Sequence, residues 1–205
     1  MNTETGLVDY IAGGGKLTSP NDANARYRGE IMRLMAVFVD SEMAGASGFA
    51  DSINMAPGLN ERIIAARIVA EKFVHAGRVL KIMEEFGANT SRYVGSHPWS
   101  NRLSRESSLG TKRIDGDMRL NVFHYPLTDW CDAWPMHTSM GWAAGLQLRE
   151  RSDCSYQPLA SAFTEILPVE SCHAGLGEAG LRHLLADGAA RASAQASVDY
   201  WYPRV

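Results

Sequence analysis

A chain of 205 residues, 45% of them hydrophobic, is long enough to bury one sizeable core and is read as a single main domain. A formal net charge of -3 gives no general pull toward nucleic acid or an anionic membrane surface. The chain shows neither a run of about 18 apolar residues nor a basic and apolar leader, so a soluble cytoplasmic protein is expected. Cys131, Cys154 and Cys172 are odd in number and lack C-x-x-C spacing, which argues against a disulfide framework and against a thiolate zinc site.

Taken in chain order, the first feature is "AGGGKLTS". A phosphate loop needs a glycine five residues before the Gly-Lys pair and Ser or Thr directly after it, but Tyr10 and Leu17 hold those places. Residues 1–20 are therefore read as a flexible N-terminal arm and residues 21–205 as a helical domain. From residue 21 the apolar period is that of α-helix, with few β-branched alternations, and the fold class is all-α.

The first long helix is expected to begin near Asn21 or Asn24, with Ile31, Leu34, Met35 and Phe38 on one stripe and Glu42 continuing it. A second begins after "APGLNE", carries Ile64, Ile68, Val79, Ile82 and Phe86 on one face, and stops at Gly87. Lys72 and His75 share that face. Glu71 falls on its flank between Arg67 and Arg78, where an exposed ion pair is the ordinary explanation. Residues 88–120 form a long polar excursion in which Arg102, Arg105, Lys112, Arg113 and Arg119 are scattered among serines and glycines. Such a segment reads as a solvated loop, or as one that meets an anionic ligand tail.

A third helix spans about Trp130 to Arg149, with Pro135 near its start or kinking it, and aligns His137, Gly141, Ala144 and Leu148. The fourth runs from about Pro158 to Leu176, and its stripe of Phe163, Ile166 and Leu167 continues into Glu170 and His173. A continuation and one further short helix follow. Four long helices with polar groups on their inward faces describe a four-helix bundle with additional short helices.

Two carboxylates, two histidines and a lysine on apolar stripes need a reason, because a buried charge is costly unless paired or bound to metal. A lone E-x-x-H is a weak signal. In di-iron carboxylate bundles, however, two helices each offer a glutamate and two others each offer E-x-x-H on an inward face. Glu42 on the first helix, and Glu170 with His173 on the fourth, follow that scheme.

The stretches "YRGEIMRLMAVFVDSEMAG", "AEKFVHAGRVL", "FHYPLTDWCDAW", "SYQPLASAF", "VESCHAG" and the terminal "YWYP" resemble, in that order, the phenylacetic acid catabolic proteins. These are the ferritin-like subunits of the bacterial phenylacetyl-CoA epoxidase. The resemblance implies a ferritin-like bundle. It also implies either a catalytic subunit whose di-iron centre activates oxygen to epoxidise an aromatic acyl-CoA thioester, or a related subunit without a working centre that supports it. By resemblance, Glu42, His75, Glu170 and His173 are the candidate metal ligands. Lys72 stands where a bridging carboxylate is usual and is the candidate catalytic residue. Gly141 stands where the third helix offers an acid. His137, one turn before it and near Trp134, reads as structural.

Two ferrous ions need about four carboxylates, whereas Glu42, Glu170 and Lys72 together leave one negative charge that a protonated histidine cancels. The expected cofactor is therefore none, or one iron or other divalent metal, rather than a full di-iron centre. Three functional readings follow: an altered or non-catalytic oxygenase subunit, a mononuclear metal-dependent monooxygenase, and a metal-free acyl-CoA binding protein. The expected partners are an aromatic acyl-CoA thioester and a second ferritin-like chain, as homodimer or hetero-oligomer, with no nucleic acid and no membrane.

Overall fold

The computed structural model describes residues 4–109 and 116–205. Among them lie seven α-helices: α1 (Glu4–Ala12), α2 (Ala25–Ser52), α3 (Leu59–Glu85), α4 (Thr90–Ser96), α5 (Trp130–Arg151), α6 (Gln157–Ala186) and α7 (Arg191–Trp201). The four long helices α2, α3, α5 and α6 make an all-α, ferritin-like bundle, with α2 against α3 and α5 against α6 as the two most extensive helix contacts. No helix among the described residues is long and apolar enough to cross a membrane.

Local chemistry sets the helix ends. The Asn24 side chain accepts from the Tyr27 backbone N–H and caps α2. Gly87, at φ 90°, ends α3 in the left-handed conformation that glycine adopts without strain. Pro158 sits in the first turn of α6, where a missing N–H costs little. Pro168 lies inside the same helix, which continues through it to Ala186. Burial of the apolar side chains Leu159, Phe163 and Ile166 on the same helix offsets a defect worth about 3 kcal/mol.

The main core joins Met35 and Val39 of α2, Val79 and Met83 of α3, and Leu159, Phe163 and Ile166 of α6. Each such side chain contributes about 1.5–3 kcal/mol by leaving water. Helices α5 and α6 approach so closely that a Cβ at Gly180 would meet the Trp134 ring at 2.4 Å.

Residues expected as an arm are packed onto the bundle. Leu7 and Leu17 enter the main core, and the Leu17 backbone pairs with residues 155 and 157. Lys16 Nζ reaches Asp153 Oδ1 at 2.7 Å.

The polar excursion is also tied down, contrary to the solvated-loop expectation for its arginines. Arg119 is only 2% exposed and donates from Nε to Asp117 Oδ2 at 2.8 Å. Arg102 donates to the carbonyls of Ala44 and Trp99. Arg105 pairs with Asp132 of α5. Lys112 and Arg113 lie outside the described residues.

Candidate functional site

The apolar stripes of α2, α3 and α6 converge at mid-bundle and bring Glu42, Lys72, His75, Glu170 and His173 together. Lys72 Nζ lies between two carboxylates, 3.1 Å from Glu42 Oε1, 3.0 Å from Glu170 Oε1 and 3.1 Å from Glu170 Oε2. His75 Nδ1 faces the same pair, 3.3 Å from Glu42 Oε2 and 3.1 Å from Glu170 Oε1. One turn along α6, His173 Nδ1 lies 3.3 Å from Glu170 Oε1. Glu42, His75, Glu170 and His173 are all buried.

The electrostatics follow from this geometry. Burial opposes the Lys72 ammonium, but the carboxylates of Glu170 and Glu42 outweigh it and hold the amine above its ordinary pKa. Burial would likewise raise the Glu170 pKa, yet Lys72, His173 and His75 keep the carboxyl well below its usual range. For His75, burial favours the neutral ring, while hydrogen bonds with Glu170 and Glu42 push its pKa up to about 9.

A group whose folded pKa is raised contributes stability that is complete below its unfolded value and is lost as pH rises through the folded one. His75 is thus expected to contribute at most about 3 kcal/mol below pH of about 6.5, and to lose it by about pH 9. Urea midpoints measured across that window should fall with pH in the native sequence, and His75→Gln should flatten the slope. An equal slope in the variant would assign the effect to another group.

Glu71, read from sequence as a flank residue, takes part in the cluster. It keeps its expected partner Arg67, whose Nε lies 2.9 Å from Oε1, while its Oε2 lies 2.6 Å from His173 Nε2. Burial would raise its pKa, but the hydrogen bonds with His173 and Arg67 lower it below the ordinary value. Arg78 turns instead to Glu165 of α6. Its place one turn before His75 is visible in the sequence and ranks it below Lys72 as a core-facing group, whereas the crossing of its side chain to His173 of α6 is a feature of the fold.

His137 serves packing. Its Nε2 lies 3.1 Å from the His173 carbonyl, and its ring sits 4.8 Å from that of Phe49. Burial, and then the charge of Lys72, push its pKa down to about 3, so the ring is neutral. Gly141 is where α5 and α6 touch: a Cβ there would lie 2.8 Å from the Ala174 Cβ. Any acidic side chain at 141 would have to force these helices apart.

A pocket, partly open to solvent, reaches the cluster from the side of α2 and α5. Phe38, Phe49, Phe123, Met136, Met140 and Leu148 give it an apolar wall, while Lys72, Arg102 and Arg151 contribute cationic groups.

A family model described as phenylacetic acid catabolic protein matches residues 2–205. No curated protein matches the chain.

Proposed function

The chain belongs to the phenylacetic acid catabolic protein family, and on that premise we propose that it is an altered, non-catalytic subunit of an oxygenase acting on aromatic acyl-CoA thioesters. The observation that carries this reading is the Lys72 ammonium lodged between Glu42 and Glu170. The groups present do not fit two metal ions. An ammonium about 3 Å from both carboxylates takes the space and the negative charge that a cation would need, and like charges repel strongly away from water. Gly141 adds a second deficit, since it has no carboxylate and no room for one.

With Lys72 and protonated His75 against Glu42 and Glu170, and Arg67 against Glu71, the cluster is neutral without a metal. It then acts as an internal ionic clasp joining α2, α3 and α6, and the chain supports a metal-competent ferritin-like partner. The apolar cavity with its arginines favours a second reading, in which the chain binds an acyl-CoA thioester without redox chemistry.

The primary reading is tested by loading the protein with ferrous iron under anaerobic conditions and then admitting oxygen. No spin-coupled diferric Mössbauer signal is expected, either in the native sequence or in Lys72→Glu, which still lacks an acid at 141. A coupled signal from the native sequence would overturn the reading.

A further inference from the structure

A second cluster of metal-ligating side chains lies on another side of α2. Asp40 is two residues before Glu42, so the two side chains leave the helix about 200° apart and serve different surroundings. Asp40 is fully buried, and Asp117, from the end of the polar excursion, is 6% exposed. Between them enters the ring of His97, from the turn after α4, with its side chain 4% exposed. One oxygen of each aspartate and one ring nitrogen of His97 all lie within 4.8 Å of one another.

The directions of these contacts carry more information than the distances. His97 Nε2 lies 2.9 Å from Asp40 Oδ2 and 3.6 Å from Asp117 Oδ1. Despite that proximity, neither ring nitrogen of His97 makes a hydrogen bond. A histidine paired directly with a carboxylate aims its N–H along the line to an oxygen, as a hydrogen bond requires. Ligands of one metal behave differently. Two donors about 2.1 Å from a shared ion lie about 3.0 Å apart when at right angles and about 3.4 Å apart when tetrahedral, and each aims at the ion rather than at its neighbour. The His97 contacts have that character: ligand-like separations without hydrogen-bond alignment.

The surroundings hold the carboxylates as outer partners hold metal ligands. Tyr93 donates its hydroxyl to Asp40 Oδ1, and the Met118 backbone N–H donates to Asp40 Oδ2 at 2.7 Å. Asp117 receives the Arg119 backbone N–H on Oδ1 at 3.0 Å and Arg119 Nε on Oδ2 at 2.8 Å. The terminal nitrogens of Arg119 point elsewhere, to the carbonyls of Pro98, Trp99 and Asn101. The guanidinium is thereby shared between Asp117 and backbone carbonyls.

We propose that Asp40, His97 and Asp117 bind one small divalent cation that accepts imidazole and carboxylate, with zinc as the probe. This site is independent of the mid-bundle cluster and of the function proposed from it. Its ligands come from α2 and from both ends of the excursion, so the ion would fasten that excursion, and with it Arg102 on the cavity wall, to the bundle.

The test uses the full chain stripped with EDTA and then titrated with zinc. About one zinc per chain is expected to survive gel filtration, and the thermal midpoint should rise with the logarithm of free zinc. His97→Ala should abolish both effects, while His75→Ala should leave the zinc stoichiometry unchanged. If His97→Ala does not fold, Asp117→Asn supplies the comparison. The proposal is overturned if the native sequence retains no zinc and its midpoint does not move up to about 1 mM zinc. It is equally overturned if zinc binding is lost in His75→Ala and kept in His97→Ala, which would place the ion at the mid-bundle cluster.

Discussion

Replacing Lys72 by methionine is expected to lower stability by about 3–5 kcal/mol, the range for removing one partner of a buried ion pair. For a chain of this size that is a fall of about 6–20 °C in thermal midpoint. Methionine keeps most of the volume and removes only the charge. Glu42 and Glu170 then face each other with only the imidazoles of His75 and His173 beside them, and Glu170 is only 2% exposed. The buried excess charge favours proton uptake by one carboxyl, so the loss should shrink as pH falls toward the ordinary carboxylate range. Adding Glu170→Gln to Lys72→Met should recover much of the loss, because the unpaired charge is removed with its partner. Urea unfolding of the native, single and double variants at two pH values gives all of these quantities. A loss below about 1 kcal/mol for Lys72→Met would show that the ammonium does not neutralise the carboxylates in solution.

The sequence makes the centre legible wherever charge interrupts an apolar stripe. Glu42, Lys72, His75, Glu170 and His173 each continue a helical run of core residues, and the structure brings all five together. Periodicity assigns a residue to a face, but it does not say how far a side chain reaches past the edge of that face. Glu71, whose period assigns it to an exposed flank, is such a case. Its carboxylate is 28% exposed, yet it touches a histidine that is 1% exposed. The polar excursion was less legible still. It has no helical period, and its arginines find partners distant in sequence: Arg105 meets Asp132, and Arg102 meets the backbone of α2. Asp40 did leave a visible trace. An acid inside "AVFVDSEMAG" interrupts an apolar run just as Glu42 does, but its partner His97 lies in a stretch where no pattern points inward.

Asp132→Ala is expected to cost about 3–5 kcal/mol through a network at the N-terminal end of α5. The Asp132 carboxylate is 4% exposed and gathers donors from three parts of the chain. Oδ1 accepts the Ser197 hydroxyl and, at 2.8 Å, the Trp201 indole N–H, both from α7. Oδ2 accepts Arg105 and, at 3.1 Å, the Thr128 backbone N–H. Burial would raise the Asp132 pKa, but the hydrogen bonds from Arg105, Ser197 and Trp201 lower it. Its contribution is therefore present above the unfolded carboxyl value and is lost only as pH falls through the depressed folded one. Alanine leaves these donors without their acceptor and leaves Arg105 without its carboxylate, held by its stack on Tyr200, 3.6 Å from the ring centre, and by the Pro126 carbonyl at 3.3 Å. Because Ser197 and Trp201 are the buried polar anchors of α7, the damage should concentrate there. Hydrogen exchange should accelerate across residues 191–201 well before it does in α2 or α3. Uniform acceleration over all helices would mean instead that α7 and the bundle unfold as one cooperative unit.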